Sequence, residues 1–550
     1  MNKLQRVFAL LLLAAGGEAN GDSLPEILSS NDPAHYLPDF SYAGYRNSNE
    51  PLPATAGIVV SVSDFGAIPD DGRDDTKAIL AAIEVGNRIP ESVIIRFEPG
   101  EYRITQIVRI ERSNIVLQGA GAGPAGTTLF FPRPLDQVDN SSSLDELRKY
   151  IVDLDKRQQE PDINLDEFFS EYSWSGGFIW IQKPGTRPAP YLDAYDAEIQ
   201  VLADVQSGTR GSRQLGVADS TRLKVGDVIQ IQWMSREDPG AGIIRSLYGA
   251  DYERAGSHHW SFPKRPLVIQ STRISAVNQN KLTIADPLLH DVTASIPAHI
   301  APWEHLREVG IEDLRLRFPV SPYFGHHMER GYNGIYFTGA YDSWIRNVAI
   351  TNADSGVLSY NSANLTFRNI VTDGERKAHY AVHMGNVHNV LAENITLLNP
   401  VLHSLTFNTQ STKCVYRDAE VFQIPVLDQH AGSNHQNLYD KVTLHATASP
   451  SDDGPTVTIF DGSGASYWEP GHGGFNTTWN LNVLISGGAY ANEIVTALGL
   501  DEGPMARVVG LHGNRQFTLD YRPAPFVEML NIELRAVPSL FDYQLEQRRQ

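Results

Sequence analysis

Short phrases of alternating apolar and polar residues recur along the central part of the chain, each with an asparagine or aspartate at an equivalent position. The phrases are rich in Ile, Val, Leu and Thr, which predicts short strands with one buried face. They read GIEDLRL, WIRNVAI, TFRNIVT, LAENITL, VYRDAEV and LYDKVTL, and their polar members are Asp313, Asn347, Asn369, Asn394, Asp418 and Asp440. Steps of 22, 25, 24 and 22 residues separate the last five, whereas the first step of 34 indicates an insertion.

This period predicts that the strands stack as successive turns of a parallel β-helix, in which each turn contacts only its neighbours. The absence of a helical pattern between the phrases excludes most helical solenoids. Neighbouring strands of a sheet lie about 4.8 Å apart. Side chains one turn apart in sequence can therefore share one surface groove.

The segments that flank the repeat predict a helical cap and two insertions. Asp74 or Asp75 can cap a helix that plugs the first open turn. The apolar stripe of this helix consists of Ala78, Ile79, Ala82 and Ile83. A second helix follows a capping box of Ser143 and Glu146. Its apolar residues are Leu144, Leu147, Ile151 and Leu154, and it forms either a lid over the groove or a helix packed on the flank.

The chain is therefore predicted to divide into seven segments. They are a signal peptide (1–19), a leader loop (20–56), the N-terminal cap and first turns (57–131), a helical insertion (132–176), an inserted small β module (177–300), the β-helix rungs with a candidate active groove (301–490) and a C-terminal tail (491–550).

Composition and charge narrow the setting in which the protein works. Lys3 and Arg6 precede a short apolar run and a small-x-small cleavage site, which predicts export to the periplasm or the extracellular space. No later segment is apolar enough to span a membrane. The only cysteine, Cys414, lies in a strand phrase and is expected to be buried. A formal charge of −20 argues against nucleic acid as a partner, and a polyanionic glycan would need a locally basic groove.

The N-terminal motifs resemble those of a known superfamily. DFGA…DDT…AI…A, followed by F-x-PG-x-Y and L-x-G-x-G, resembles the N-terminal portion of the pectate-lyase-like superfamily of right-handed parallel β-helix proteins. The resemblance covers residues 57–131 by motif and 303–485 by the rhythm of the strands. It implies an all-β, right-handed parallel β-helix of a lyase, hydrolase, epimerase or tailspike. The phrases LPDFSYAGYR, GSNHQNLYDKV and SLFDYQLEQR are similar to a bacterial secreted subgroup. Proteins of this fold occur as monomers and homotrimers, and either state is expected here.

Histidines cluster in the predicted rungs, since ten of the seventeen lie between residues 301 and 445. His379 lies ten residues after Asn369, His403 nine after Asn394 and His430 twelve after Asp418. The three are thus predicted to form a row on consecutive turns. The row can act as an acid–base site, because imidazole titrates near neutral pH. The alternative is a polar stack that satisfies loop backbone.

Elimination from a uronate needs a cation to neutralise the carboxylate, a base for the C5 proton and an acid for the departing oxygen. We expect the catalytic residues to be His379, His403, His430, Tyr380 and Arg376. The predicted substrate-binding residues are Lys377, Lys413, Arg417, His435, His326 and Arg330. The resulting hypothesis is a secreted polysaccharide lyase acting on an acidic, uronate-containing glycan.

Two other functions remain open at this point. Glycoside hydrolysis needs two carboxylates about 5–9 Å apart. The candidates are Asp373, Glu375, Asp418, Glu420 and Asp428. The polygalacturonase-like hydrolases carry an Asp pair before a Gly-His-Gly phrase, and no such pair precedes His472 in EPGHGGF. The third hypothesis is a glycan-binding surface protein without catalytic activity.

No metal site is predicted. The string His326-His327-Met328-Glu329 lacks the helical spacing of zinc hydrolases, so we interpret it as a substrate-binding loop. Asp373, Asp418 and Asp428 are candidate ligands of a calcium ion, although these residues also fit turn positions. No other cofactor is expected.

Overall fold

Parallel strand pairing dominates the computed structural model, which describes residues 21–156, 169–187, 199–234, 242–249, 266–430, 432–462, 470–487, 490 and 492–550. Each rung strand pairs with the strand one turn before it and the strand one turn after it. Leu391, for example, pairs with Thr366 on one side and Val415 on the other. This arrangement confirms the predicted parallel β-helix. The predicted signal peptide lies outside the described residues.

The first turns are built from short parallel strands. They are β1 Ile58–Ser61, β2 Val93–Arg96, β3 Gly100–Arg103, β4 Val108–Ile110, β5 Ile115–Gln118, β6 Thr127–Phe130 and β7 Ile179–Ile181. Strand β7 pairs in parallel with β4 and with a later rung strand, β16 (Asn333–Thr338). The β-helix therefore resumes at β7, and the start predicted for the β module, residue 177, is too early.

The predicted cap helix is α1, Thr76–Arg88, which buries Ile79, Ala82 and Ile83 against the first turn. Asp75 occupies the N-cap position, but the carboxylate that accepts the Thr76 N–H belongs to Asp74. The helix thereby covers apolar side chains that an open first turn would expose.

The helical insertion contains α2, Leu135–Val138, and α3, Asp145–Lys156. Leu144, Leu147 and Ile151 are buried as the spacing predicts, and the Leu154 side chain lies outside the described residues. Leu147 and Ile151 pack with Phe169 and Trp174. The insertion thus has a small apolar core of its own on the flank of the β-helix.

A closed antiparallel barrel forms the inserted β module. Its strands are β8 Ala203–Gly208, β9 Gln214–Val217, β10 Val228–Met234, β11 Pro266–Asn278, β12 Lys281–Ile284 and β13 Ala298–Pro302. Helix α4, Gly242–Tyr248, packs its apolar side chains into the same core as the barrel. The barrel confirms that the fold includes a small β module inserted into the β-helix.

The rungs that follow carry the repeat. They are β14 Leu306–Arg307, β15 Val309–Arg317, β16, β17 Ala340–Thr351, β18 Ser355–Asp373, β19 Ala378–His388, β20 Leu391–Leu397, β21 Val401–Asn408, β22 Val415–Val421, β23 Leu427–His430, β24 Leu438–Asp440 and β25 Thr443–Ala446. Equivalent inward positions stack in register, and one fully buried row consists of Ile345, Phe367, Ala392, Tyr416 and Tyr439. Such rows form the apolar core that replaces disulfides in this chain. Cys414 is buried, as expected.

The polar ladder occupies one corner of the β-helix. Asn347 donates to Asp313 over 2.8 Å, Asn369 to Asn347 over 2.7 Å and Asn394 to Asn369 over 3.0 Å. These residues and Asp418 all have left-handed backbone conformations, with φ between 52° and 57°. Asn and Asp tolerate this conformation better than other residues with a side chain. The ladder therefore bends each strand phrase at the same place.

The sixth predicted member, Asp440, does not belong to the ladder. Lys441 takes the left-handed position with φ 56°, and its Nζ lies 2.7 Å from Oδ1 of Asp418. Asp440 is fully buried and accepts hydrogen bonds from Ser539 Oγ and from the backbone N–H groups of Leu540 and Phe541. It therefore holds the start of the C-terminal helix against a rung.

The β-helix continues beyond the predicted boundary at residue 490. The last strands are β26 Thr456–Thr458, β27 Phe460–Asp461, β28 Thr477–Trp479, β29 Asn482–Ile485, β30 Val495–Leu498, β31 Arg507–Val509, β32 His512–Gly513, β33 Phe517–Asp520 and β34 Phe526–Glu528. Strands β28, β31 and β34 stack in parallel, so the predicted tail is in part a continuation of the solenoid. The chain then forms α5, Leu540–Arg549, whose apolar residues pack with Phe40 of the leader. Among the described residues, no helix is long and apolar enough to cross a membrane.

The contact between Asp440 and α5 can be tested by substitution. We expect Asp440→Ala to lower the free energy of unfolding by about 3 kcal/mol, because it leaves buried N–H groups without acceptors. Asp440→Asn keeps one side-chain oxygen and should cost less. Asp453→Ala, at an exposed position, is the control and should change stability little. Denaturant unfolding measures all three, and equal stability of D440A and D453A would contradict this role.

Candidate active site

Three predicted histidines meet on adjacent rungs. His379 is the second residue of β19, His403 lies in β21 and His430 ends β23. The ring centroids of His379 and His403 are 5.1 Å apart, and those of His403 and His430 are 4.9 Å apart. Strand register pairs His403 with Tyr380 and not with His379, so the row is staggered. The side chains nevertheless form one cluster.

A loop between β15 and β16 completes the cluster with His326 and His327. The His326 ring lies 4.8 Å from that of His379 and 5.3 Å from that of His403. Its Nε2 is 3.3 Å from Nε2 of His403. His327 stacks on His326 with centroids 3.8 Å apart. We call His326, His379, His403 and His430 the histidine cluster.

Exposure within the histidine cluster is graded. His326 is exposed and His430 is partly exposed, whereas His379 is 0% and His403 5% exposed. The predicted row is therefore buried at His379 and His403 and reaches solvent at His430. A ligand approaching from solvent meets His326 and His430 first.

The helical insertion positions the histidine loop. Phe169 and Trp174 contact the His327 ring at 4.6 and 4.9 Å between centroids. Ser173 Oγ donates to Glu329 Oε2 over 2.7 Å. Arg330, predicted to bind substrate, pairs with Asp136 of α2 at 2.6 Å. The cluster therefore depends on residues far apart in sequence.

Two buried carboxylates lie behind the imidazoles. Oδ2 of Asp428 is 3.2 Å from Nδ1 of His403 and 3.3 Å from Nδ1 of His430, and it accepts a hydrogen bond from Thr406 Oγ1 over 2.6 Å. Oε1 of Glu329 lies 3.2 Å from Nδ1 of His379. Sequence reasoning considered Asp428 only for hydrolysis or calcium. Its position two residues before His430 was the available signal.

Burial and mutual proximity set the protonation of the cluster. Burial, followed by the charge of His403, lowers the pKa of His326 to about 4 and also lowers the pKa of His379 well below its ordinary value. Burial alone would lower the pKa of His403, but the Asp428 carboxylate outweighs it and the pKa is raised. His403 and His430 hold the pKa of Asp428 below its usual range despite burial. His326 and His379 are thus neutral imidazoles, and the Asp428 carboxylate behind the cluster is ionised.

Exposed aromatic rings lie next to the cluster on the same loop. Tyr323 and Phe324 are 36% and 50% exposed. The Lys377 ammonium lies 5.4 Å from the Tyr323 ring centroid, which places one predicted binding residue beside the cluster. The sequence analysis missed both aromatic residues. An exposed pair of rings beside polar groups suits the apolar face of a sugar.

The structure gives Arg376 and Tyr380 supporting positions instead of catalytic ones. Arg376 is buried, pairs with Asp354 at 2.7 Å and donates to the backbone oxygen of Pro319. Tyr380 is fully buried, stacks on His379 at 4.1 Å and accepts a hydrogen bond from Asn408. Neither side chain can reach a bound glycan from these positions.

Three predicted binding residues have partners elsewhere. Lys413 is buried and donates to the backbone oxygen of Asp39. Arg417 pairs with Glu393, Asp418 and Asp542, which ties α5 to the rungs. His435 is buried with its Nε2 2.8 Å from that of His290 in the β module. These contacts link parts of the fold, and the prediction that the residues line the groove is not supported.

Two cavities lie away from the histidine cluster. One of about 380 Å³ borders Trp180 and Arg187, and one of about 600 Å³ lies between the leader and the β module. The larger is lined by Arg46, Arg213, Arg273 and Arg307 together with Glu50, Glu308 and Asp342. Ion pairs within this set neutralise much of its positive charge.

The neighbours Arg376 and Lys377 should respond differently to truncation. Arg376→Ala leaves the Asp354 carboxylate buried without its partner, which we expect to cost about 3–5 kcal/mol of unfolding free energy. Lys377→Ala removes a partly exposed charge and should cost less than about 0.5 kcal/mol. Denaturant unfolding of the two variants checks this difference. Wild-type stability of R376A would contradict the structural role.

Comparisons with known proteins agree with the fold. Residues 59–131 match the family model described as "Rhamnogalacturonase A/epimerase, pectate lyase-like". A search of curated proteins finds no significant match.

Several solved structures are similar at low identity. The tailspike gp49 of Pseudomonas phage LKA1 is 15% identical, with a TM-score of 0.39 over 86% of this chain and 80% of that one. The mannuronan C-5 epimerase AlgE4 A-module of Azotobacter vinelandii is 11% identical, with a TM-score of 0.32 over 86% and 96%. The exopolygalacturonase of Thermotoga maritima is 9% identical, with a TM-score of 0.36 over 87% and 93%.

The N-terminal match covers the segment in which the sequence motifs lie, and the parallel β-helix extends from that segment through the rungs. Over residues 59–131 the chain is thus similar to the pectate-lyase-like family, and its parallel β-helix agrees with that similarity.

Proposed function

We propose that this protein is a polysaccharide lyase that cleaves an acidic, uronate-containing glycan by β-elimination at the histidine cluster. The observation that carries the proposal is the position of the imidazole and carboxylate groups relative to solvent. The imidazoles of His326 and His430 lie towards solvent, and the carboxylates of Asp428 and Glu329 lie buried behind the cluster. A base suited to a carbon-bound proton is therefore accessible, whereas a pair of carboxylates facing the sugar is not.

His430 is the residue we assign as the base. Its Nδ1 faces Asp428, which leaves Nε2 for the C5 proton, and the carboxylate holds the ring while it takes up the charge. Partial exposure gives His430 access to a ligand that buried His379 does not have.

A cation must face the uronate carboxylate so that the C5 proton becomes acidic. Arg376 is engaged with Asp354, so Lys377 is the predicted cation that remains beside the cluster. Tyr323 and Phe324 supply an apolar surface on which a neighbouring sugar can stack.

Three of the five carboxylates considered for hydrolysis have basic partners, which supports this preference. Asp373 pairs with Arg315, Asp418 with Lys441, and Glu420 with His445. Each is thereby committed to an ion pair on the rungs. Hydrolysis and binding without cleavage remain as alternative outcomes of the test.

The comparisons support action on a glycan in general, because the matching family model describes a rhamnogalacturonase and an epimerase. The predicted export to the periplasm or the extracellular space belongs to the proposal, since polysaccharide substrates are met outside the cell. The oligomeric state, monomer or homotrimer, stays a prediction.

The proposal is tested by ultraviolet absorbance on alginate, pectate, chondroitin, hyaluronan, heparan, glucuronan and ulvan. A lyase produces an absorbing unsaturated end, and we expect this signal on at least one of them. His430→Ala should lower kcat by about 10²–10⁴-fold, the usual contribution of a general base. Lys377→Ala should reduce turnover of the same glycan.

His445→Ala is the matched control, because His445 is a partly exposed rung histidine that pairs with Glu420 outside the cluster. It should retain wild-type activity. If new reducing ends appear without ultraviolet absorbance, the protein is a hydrolase and the lyase proposal is wrong. If the protein binds a glycan but does not shorten it, the protein is a glycan-binding protein without catalytic activity.

A further inference from the structure

We propose that His326, His379 and His403 bind one divalent transition-metal ion, with Zn²⁺ as the representative, through one imidazole nitrogen each. The three residues come from a loop and two different rungs, so no sequence motif announces them. Metal binding does not depend on the lyase proposal. The role we give the ion in catalysis does rest on it.

The spacing of the nitrogens fits a metal ion. One nitrogen from each histidine lies within 4.8 Å of the others. Nε2 of His326 and Nε2 of His403 are 3.3 Å apart. Two nitrogens bound to tetrahedral zinc at about 2.0–2.1 Å are about 3.4 Å apart. The separation of these two nitrogens, which form a hydrogen bond with each other, therefore already matches that of two ligands of one ion.

Buried nitrogens without hydrogen bonds point to the same conclusion. Among the described residues, neither ring nitrogen of fully buried His379 has a hydrogen-bond partner. Its Nδ1 lies 3.2 Å from Glu329 Oε1, but this contact lacks hydrogen-bond geometry. Each buried polar atom left unpaired costs about 1–3 kcal/mol. A metal ion bound through Nε2 would take up the one free lone pair of this ring and leave the N–H at Nδ1, on the side of Glu329.

The carboxylates complete the usual outer layer of a histidine metal site. A metal-bound histidine almost always directs its other ring nitrogen at a carboxylate, a carbonyl or water. Nδ1 of His403 faces Asp428, and Nδ1 of His379 faces Glu329, which leaves Nε2 of both rings for the ion. Thr406 and Ser173 hold the two carboxylates in turn.

A second group with metal-binding spacing consists of His403, Asp428 and His430. It shares His403 with the first group, and its carboxylate oxygen Oδ2 already accepts a hydrogen bond from Thr406. It also leaves the buried nitrogens of His379 without partners. The first group accounts for more of the observed contacts, and it leaves His430 free of the metal.

The three imidazole nitrogens determine which kind of metal ion the site favours. Three imidazole ligands suit Zn²⁺ and similar transition metals, whereas Ca²⁺ takes oxygen ligands. His326 is exposed, so the side of the ion towards solvent is open to an oxygen ligand. If the lyase proposal holds, that ligand is the uronate carboxylate, placed next to His430 whose ring is 4.9 Å from that of His403.

Metal analysis of the full-length protein tests the proposal directly. The protein is stripped with a chelator, titrated with Zn²⁺ by calorimetry, and dialysed before its metal content is measured. We expect about one equivalent of zinc, and about one equivalent of Co²⁺ with the visible spectrum of a low-symmetry site. His326→Ala, which removes an exposed ring, should weaken zinc binding by at least about 100-fold.

Two further variants refine the assignment. Glu329→Gln should weaken zinc binding by about 10–100-fold, because it removes the carboxylate behind His379. His445→Ala is the control and should bind zinc like the wild type. Circular dichroism checks that each variant is folded. Loss of binding in H445A, no binding by the wild type, or unchanged binding in a folded H326A would each overturn the site.

The outcomes separate this inference from the lyase proposal. If the protein binds zinc but cleaves none of the glycans in the panel, the metal site is supported and the lyase proposal is rejected. If chelator-treated protein that is shown to be free of metal still cleaves the glycan, the lyase proposal is supported. The ion then has no catalytic role. Stimulation by Ca²⁺ alone, without zinc binding, would overturn the histidine site.

Discussion

Parallel pairing of rung strands is the constraint on which the rest of this molecule depends. Because adjacent strands lie about 4.8 Å apart, two residues meet only if the chain makes one complete turn between them. The left-handed corner at Asp313, Asn347, Asn369 and Asn394 keeps that turn in phase from rung to rung. A one-residue slip would reverse the faces of a strand and expose its core side chains. Register at the corner thus decides which histidines share the groove.

The histidine cluster nevertheless needs more than the rungs. His326 lies on a loop, and this loop contacts the helical insertion through His327, Glu329 and Arg330. Apolar packing, a buried hydrogen bond and an ion pair act together at this contact. The insertion therefore sets the distance between His326 and His403, and a change in its packing would alter the site without touching the rungs.

The sequence was informative where a single periodicity controlled the outcome. The strand phrases predicted the parallel β-helix, the apolar stripe predicted α1, and the ladder placed His379, His403 and His430 on neighbouring rungs. The prediction failed where a side chain that occupies a repeat position in the sequence is bound by another part of the fold. Asp440 resembles a ladder residue in sequence, yet the start of α5 draws it inward, and Lys441 takes its place.

Charged residues were the hardest to assign from sequence. Arg376, Lys413 and Arg417 lie near the histidines in sequence, which suggested a catalytic role for the first and binding roles for the other two. Their directions depend on partners that no local pattern reveals, namely Asp354, the leader backbone and α5. The roles of the carboxylates behind the cluster were missed for the same reason, because Glu329 and His379 are brought together only by the fold.

The arrangement also bears on the proposal that this acidic protein acts on an acidic glycan. A net charge of −20 repels a polyanion at long range, but salt screens exposed charges beyond about 8–10 Å. Local groups then decide binding. Asp428 and Glu329 are buried and directed at imidazoles, so their charge is not presented to a ligand. Lys377, the neutral face of His326 and the aromatic rings of the loop are what the ligand meets, and a metal ion held by the cluster would make that surface positive.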